Sequence, residues 1–144
     1  MAAPAIISIQ RLSNPRAWTL GHPIARLGRH RLDAPRLGVA VVGLERGELD
    51  VALRTDRKLG GLALMSGTLI AEHEWTPLFA ARKDLAVMQS HGTGDPMLPF
   101  ASAERLRDLM TGAGLAVEWV PFRGGHEIPP SVVDQLGALV RRVV

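Results

Sequence analysis

The sequence predicts an α/β fold with a mainly parallel sheet of about four strands flanked by helices. Short, nearly continuous apolar runs recur from residue 38 onward, each bounded by glycine or a polar residue, and such runs are typical of strands buried on both faces. Amphipathic stretches lie between and after these runs, and strands that alternate with helices favour parallel pairing. A chain of 144 residues is long enough to build one core.

The apolar runs divide the chain into two parts. The four predicted strands are GVAVVG (38–43), GLALMS (61–66), LAVMQS (85–90) and LAVEWVP (115–121). Residues 1–37 scatter proline, glycine, arginine and histidine without a sustained period of 2 or 3.6. We therefore expect an irregular N-terminal segment over 1–37, with AIISI as its one short strand, and an α/β domain over 38–144.

The stretch FASAERLRDLMTGAG, residues 100–114, predicts a helix. Ser102 is the expected N-cap, and Gly112 and Gly114 can end the helix. The apolar positions that share one helical face are Ala103, Leu106, Leu109 and Met110. This helix should connect the third strand to the fourth.

The C-terminal stretch PPSVVDQLGALVRRVV predicts a second amphipathic helix. Ser131 and Asp134 stand at the spacing of a capping box, which places the helix start near them. The apolar positions at helical spacing are Val132, Leu136, Leu139, Val140 and Val143. We expect this helix to cover one face of the sheet.

Composition excludes several classes of protein. The formal net charge is +3, but aromatic residues make up only 4% of the chain, and the arginines at 26, 29, 31 and 36 fall in the irregular first third. We therefore expect an unstructured basic tail and no nucleic-acid partner. No apolar run reaches the roughly 20 residues of a membrane span, and the N-terminus lacks a signal-peptide pattern. With no cysteine, we expect a cytoplasmic chain without disulfides.

Two residues point to chemistry because parallel strands deliver them to one edge. Asp95 follows the strand LAVMQS, His126 follows the strand LAVEWVP, and active sites of α/β sheets lie at the carboxyl ends of the strands. A carboxylate that accepts the Nδ1 proton of an imidazole leaves Nε2 free as a general base. The alternatives are that Asp95 only caps a turn before Pro96 and that His126 is a solvated loop histidine.

At these loops the chain resembles the phospholipase/carboxylesterase family of α/β hydrolases, which includes acyl-protein thioesterases. SHGTGDPMLPF (90–100) is similar to the family's acid-bearing loop, FRGGHEIP (122–129) to its histidine loop, and LALMSGTL (62–69) to the strand before them. The resemblance covers residues 50–144 and implies the C-terminal half of an α/β-hydrolase fold. It also implies hydrolysis of small carboxylic esters, carboxylesterase-like or lysophospholipase-like, without a cofactor or metal. Asp95 and His126 would be the acid and base of a Ser-Asp-His triad.

The resemblance also implies a serine that the expected position lacks. The family's G-x-S-x-G elbow should follow the strand GVAVVG, and there Glu45 stands between Gly43 and Gly47. A carboxylate has no proton for His126 to take. The backbone N–H of Arg46 would be one oxyanion donor, and nothing in residues 1–37 resembles the family's other oxyanion loop. The alternative to an esterase is therefore a non-catalytic fragment or pseudoenzyme of the family.

Other residues carry weaker signals. Ser66 and Ser90 end predicted strands and are conceivable replacement nucleophiles, although neither lies in an elbow. His91 is expected to be a structural loop residue, and His22, His30 and His73 lack partners at metal-ligand spacing. The aromatic residues expected in the core or in pocket walls are Trp75, Phe79, Phe100, Trp119 and Phe122.

The strand GVAVVG has a second consequence in a partial hydrolase fold. The last four strands of that fold are neighbours, so this strand would form an apolar edge, which promotes association. We expect either AIISI to cover it or the chain to form a homodimer through it. The irregular first third is further expected to derive from another reading frame of the family's ancestral gene, or else to belong to a divergent short form.

Overall fold

The computed structural model describes residues 38–42, 46–56 and 58–143. The elements run in the order β1 (Gly38–Val42), α1 (Arg46–Arg54), β2 (Leu59–Met65), α2 (Glu72–Phe79), a 3-10 helix (Ala80–Arg82), β3 (Ala86–Gly92), α3 (Phe100–Gly112), β4 (Ala116–Phe122) and α4 (Pro130–Val143). The predictions for residues 1–37, with AIISI, the basic tail, His22 and His30, lie outside the described residues. Glu45 also lies outside them.

The described strands form one parallel sheet, as predicted. Its order is β1-β2-β3-β4, which is also the order of the strands along the chain. The register pairs Leu64 of β2 with Gln89 of β3, and Gln89 with Trp119 of β4. All four carboxyl ends therefore lie along the same edge of the sheet, which is the edge where the loops of interest begin.

Two strands differ from their predictions. β3 runs on to Gly92 and so includes His91, which was expected in the loop, and Ser90 lies inside the strand rather than at its end. β4 is partly exposed along its whole length and is not buried on both faces, because in the described sheet it pairs only with β3. β2 and β3, which have a strand on each side, are the buried pair.

Both predicted N-caps are wrong. α3 begins at Phe100 with Pro99 at the cap position, and the backbone N–H of Ser102 donates to the Pro99 carbonyl. α4 begins at Pro130, and the carbonyl of Pro129 accepts the N–H of Val132 and Val133, so Ser131 lies inside the first turn. In both cases a proline fixes the backbone for the helix start.

The predicted end of α3 is confirmed at its glycines. The helix ends at Gly112, and Gly114 has a φ of +95°, in the left-handed region that favours glycine. The N–H of Leu115 donates to the carbonyl of Met110, and that of Gly114 to the carbonyl of Thr111. This pattern is a Schellman motif, which satisfies the last carbonyls and turns the chain into β4.

Helices cover both faces of the sheet. On one face α1, α2 and α3 pack against β2 and β3 through a core that includes Leu53, Phe79 and Leu106. On the other face α4 packs through Val132 and Leu139 against Ala63 and Met88. Of these residues, Leu106, Val132 and Leu139 are helix positions that the sequence spacing selected. The result is a three-layer arrangement with the parallel sheet in the middle.

The helix α2 was not assigned from the sequence. It is short and contains Pro77, which cannot donate a helical hydrogen bond. Tertiary contacts hold it instead: Trp75 is buried, its Nε1–H donates to Oδ1 of Asp50 on α1 at 3.1 Å, and Glu72 forms an ion pair with Arg105 on α3. None of the helices in the described ranges is long and apolar enough to cross a bilayer.

Candidate active site

Two loops meet at the carboxyl edge of the sheet, beyond the ends of β3 and β4. The N–H of Thr93 donates to the carbonyl of Phe122 at 2.9 Å, and the N–H of Gly94 donates to the carbonyl of Gly124 at 2.9 Å. These bonds continue the parallel pairing of the two strands into the loops. The acid-bearing loop and the histidine loop are therefore held side by side.

The structure brings the two predicted site residues together. Nδ1 of His126 lies 2.8 Å from Oδ2 of Asp95, a distance typical of a charge-assisted hydrogen bond. The Asp95 side chain is 0% exposed and the His126 side chain 12% exposed. A carboxylate can only accept at this distance, so the proton of the neutral imidazole lies on Nδ1.

Asp95 also caps the turn that follows it. Its Oδ1 accepts the backbone N–H of Met97 at 2.8 Å and that of Leu98 at 2.9 Å. Asp95 therefore orders the turn through Oδ1 and contacts His126 through Oδ2, so it does more than cap a turn. The turn leads the chain directly into α3, which begins at Phe100 after Pro99.

The environment of Asp95 favours its ionised form. Burial alone raises the pKa of this carboxyl, but the hydrogen bonds from the Leu98 N–H, from His126 and from the Met97 N–H outweigh burial and hold the pKa below its ordinary value. The carboxylate is thus charged near neutral pH and available to an imidazolium at His126.

Glycines allow the close approach of the two loops. A Cβ on Gly92 would overlap the carbonyl oxygen of Gly125 and lie 2.7 Å from that of Gly124. A Cβ on Gly124 would collide with Oε1 of Glu127. The clash at Gly92 is with backbone atoms of the other loop, so a side chain there would push the loops apart and break the contact between Asp95 and His126, whereas at Gly124 the flexible Glu127 side chain of the same loop can move aside.

The other ring nitrogen of His126 is available for chemistry. Nε2 is buried, and within the described part of the chain it has no hydrogen-bond partner. With the proton on Nδ1, Nε2 carries a lone pair and can accept a proton from a nucleophile or a water. An imidazole held in this way by a carboxylate can act as a general base toward a hydroxyl nucleophile.

The expected position of the third group lies at the junction of β1 and α1. β1 ends at Val42 and α1 begins at Arg46, and residues 43–45 between them lie outside the described ranges. Ser66 directly follows β2, is buried and has a φ of 57°, and its N–H donates to the carbonyl of Ser90 at 2.9 Å. A non-glycine residue in this region is strained and often functional.

The aromatic residues divide between core and site. Trp75 and Phe79 are buried in the core, as expected. The rings of Phe100 and Trp119 pack with their centroids 5.7 Å apart and their planes tilted by 41°, and the Arg107 guanidinium lies 5.0 Å from the centre of the Trp119 ring. On its other side Phe100 neighbours His91 of β3, with the two ring centroids 6.0 Å apart.

Sequence reasoning did not foresee the place of His91. Its side chain is 0% exposed, its Nε2 lies 3.0 Å from the carbonyl oxygen of Leu98, and Nε2 is 3.5 Å from Oδ2 of Asp95. The spacing of His91 and Asp95, four residues apart in the acid-bearing loop, was the available signal. It carried no weight because the strand was expected to end at Ser90.

Comparison with known proteins identifies relatives of one kind. A model of the phospholipase/carboxylesterase family matches residues 41–142. The acyl-protein thioesterase 1 of Gibberella zeae is 29% identical over 89 residues, which are 59% of this chain and 38% of that protein. The residues that the family model matches include β2, β3, β4 and both loops.

Solved structures share the same fold. The crystal structure of Arabidopsis thaliana SOBER1 superimposes with a TM-score of 0.64 at 25% identity, covering 73% of this chain and 52% of that one. The Zea mays acyl-protein thioesterase 2 gives a TM-score of 0.64 at 18% identity, covering 77% and 58%. The chain thus spans between about a third and three-fifths of the length of these relatives.

Proposed function

The chain belongs to the phospholipase/carboxylesterase family, and from that membership we propose that Asp95 and His126 are the acid and base of a carboxylic-ester hydrolase site. The observation that carries the proposal is the 2.8 Å contact between Oδ2 of Asp95 and Nδ1 of His126, with Nε2 buried and unpartnered within the described residues. The substrates proposed are small carboxylic esters, including lysophospholipid-like ones. The thioesterase name of the Gibberella zeae relative adds acyl thioesters to that class.

The proposed chemistry is acyl transfer through a covalent intermediate. A serine hydroxyl attacks the acyl carbon while Nε2 of His126 takes its proton, and the imidazolium is stabilised by the Asp95 carboxylate. His126 then protonates the leaving alkoxide or thiolate, and a water activated by the same nitrogen releases the acid. These steps need an Nε2 that is not bonded to another protein group, so that it can take up and return the proton, and an Nδ1–H bonded to Asp95. The contacts of His126 favour this arrangement.

A second candidate is a non-catalytic member of the family. The specific observation for it is Glu45, which stands one residue before α1 begins at Arg46, where the family's serine is expected. A glutamate at that turn cannot give His126 a proton, and the loss of one oxyanion donor alone costs on the order of 100- to 1,000-fold in rate. In this case Asp95 and His126 are an inherited pair without a nucleophile.

A fluorophosphonate probe tests both candidates. Intact mass of the folded chain, compared with His126→Ala, reports any activated serine, and peptide mapping names it. A stoichiometric adduct that requires His126 supports the esterase, with Ser66 and Ser90 as the residues to inspect first. No adduct on a chain shown to be folded by circular dichroism supports the non-catalytic member.

A variant makes the test independent of the native nucleophile. Glu45→Ser restores the G-x-S-x-G pattern between Gly43 and Gly47, and peptide mapping should find the probe on residue 45, while Glu45→Ala and the double variant of Glu45→Ser with His126→Ala should carry no label at that position. A folded Glu45→Ser chain without label would contradict the proposal that Asp95 and His126 form a competent acid and base.

We further propose that residues 38–144 are the C-terminal half of a hydrolase domain located in the cytoplasm. The proposal is supported by relatives that are about twice as long as the matched region and, for the compartment, by the lack of cysteine. β1 pairs only with β2 among the described strands, so we propose that copies of the chain associate through the free side of β1. No nucleic-acid partner is proposed.

A further inference from the structure

His91 is a buried titratable side chain that the triad chemistry does not use. It is the penultimate residue of β3, and its side chain is 0% exposed. Nε2 lies 3.0 Å from the carbonyl oxygen of Leu98 and 3.5 Å from Oδ2 of Asp95. Nδ1 is buried and, within the described part of the chain, has no hydrogen-bond partner.

These contacts fix the tautomer of His91. A carbonyl oxygen can only accept, so Nε2 must carry a proton to bond Leu98. Nδ1 then holds a lone pair that no described donor approaches. The Nε2–H donates to the Leu98 oxygen, and Nε2 also lies 3.5 Å from Oδ2 of Asp95, with both side chains 0% exposed, so its bond dipole acts in a site of low dielectric.

The same contacts hold Leu98 at both of its backbone groups. Its N–H donates to Oδ1 of Asp95 at 2.9 Å, and its carbonyl receives Nε2 of His91 at 3.0 Å. Leu98, the last residue of the turn that begins at Asp95, is therefore bonded through its N–H to the carboxylate of Asp95 and through its carbonyl to His91 of β3. The carboxylate cannot rotate away from His126 without releasing Leu98.

We propose that His91 is a positioning residue that holds the Asp95 carboxylate in line with Nδ1 of His126 by anchoring Leu98, whose N–H is bonded to the same carboxylate. This inference rests on the proposed function of the Asp95 and His126 pair. A histidine that only filled space in the core would have no need of an N–H bonded to the acid-bearing loop. Phe100 packs beside the imidazole of His91, with the ring centroids 6.0 Å apart.

The first test uses the native chain. Nitrogen-15 spectra of labelled histidine distinguish the two neutral tautomers, and His91 should appear with Nε2 protonated and Nδ1 bare. His126 should show the opposite tautomer, with its Nδ1 proton far downfield in the hydrogen bond to Asp95. A His91 with its proton on Nδ1 would overturn the proposal, since that ring cannot donate to Leu98 through Nε2.

The second test removes the donor. In His91→Leu we expect the Nδ1 proton of His126 to be lost through exchange and the pKa of Asp95, followed by carbon-13 titration, to rise toward its ordinary value. His91→Gln, whose amide N–H can reach Leu98, should restore both signals in part. If the leucine variant does not fold, His91→Asn replaces it, because the shorter amide does not reach the carbonyl.

Gln89→Leu is the matched control. Gln89 lies on the same strand and face, is fully buried, and donates from Nε2 to the carbonyl of Ala103 at 2.8 Å, away from Asp95. This variant should lose stability and leave both signals unchanged. A folded His91→Leu chain with both signals at their native values, like the control, would overturn the inference. Neither signal depends on turnover, so an inert chain bears only on the proposed function.

Discussion

Oδ2 of Asp95 and Nδ1 of His126 lie 2.8 Å apart although 31 positions separate the two residues in the sequence. The two loops that carry these residues are also bonded to each other through backbone groups, at the ends of β3 and β4. The sheet and the loops together therefore determine the distance between Asp95 and His126. Changes to the pair, to the loop glycines and to the sheet edge have separate, measurable effects.

Replacing Asp95 by asparagine should destabilise the chain. The amide oxygen can still cap the turn, but the NH2 group can bond Nδ1 of His126 only after the imidazole shifts its proton to Nε2, so a charge-assisted hydrogen bond becomes a neutral one. Hydrogen bonds to charged groups contribute about 1.5–3 kcal/mol and neutral ones about 0.5–1.5 kcal/mol, so the free energy of unfolding should fall by about 1 kcal/mol. Urea denaturation measures it. Asp108→Asn, whose ion pair with Arg107 is exposed, should change stability little, and equal effects of the two variants would contradict the role of Asp95.

Acid should remove the contribution of Asp95. Its pKa in the folded chain is lowered from the ordinary 3.8, so the folded state binds this proton more weakly than the unfolded state does. The stabilisation is complete above 3.8 and is lost as the pH falls through the lower folded value. The stability difference between the native chain and Asp95→Asn should therefore shrink below pH 3.8. A difference that stays constant across that range would contradict the ionised carboxylate.

A methyl group on Gly92 should separate the two loops. Its Cβ would overlap the carbonyl oxygen of Gly125, and overpacking of this kind costs about 1–3 kcal/mol. We expect Gly92→Ala to lower the thermal midpoint and to abolish the downfield proton of His126. The control is Gly112→Ala at the end of α3, where a Cβ meets nothing within 4 Å and helix propensity favours alanine. A control as damaging as Gly92→Ala would refute the clash.

The side of β1 that pairs with no other described strand should make the chain associate. Sedimentation velocity over a range of protein concentrations should give a dimer or larger species, because the edge of an apolar strand is a template for pairing. A chain that stays monomeric, with the amides of β1 exchanging rapidly with solvent, would contradict association through β1. A monomer with protected β1 amides would instead agree with coverage by the N-terminal segment.

Much of the fold followed from the sequence because the buried strands are apolar and short. β2 and β3 were found within two residues at each end, since runs of this kind are typical of strands buried on both faces. The α2 helix was missed because Pro77 and its short length leave no periodic pattern, and its stability comes from Trp75 and the ion pair to Arg105. Tertiary contacts of this sort have no local signature.

The candidate site was partly visible for a similar reason. Asp95 and His126 could be paired because parallel strands place their following loops at one edge, and the two loops have characteristic residues. The N-cap predictions at Ser102 and Ser131 were wrong because a proline stands at the start of each helix, Pro99 before α3 and Pro130 in α4. The fixed backbone of proline outweighs the preference of serine for the N-cap position. His91 was expected in the loop because the strand was predicted to end at Ser90. β3 ends two residues later, at Gly92, so His91 lies in the strand.

The identity of sheet order and chain order has a consequence for folding. Because each described strand pairs with the one before it, the sheet can grow by one crossover at a time as the chain leaves the ribosome, and no strand has to be inserted between two earlier ones. His126 follows β4, so its contact with Asp95 can close only after the last crossover is complete. The downfield proton of His126 would thus report the completion of the crossover from β3 to β4 and serve as a direct kinetic signal for that step.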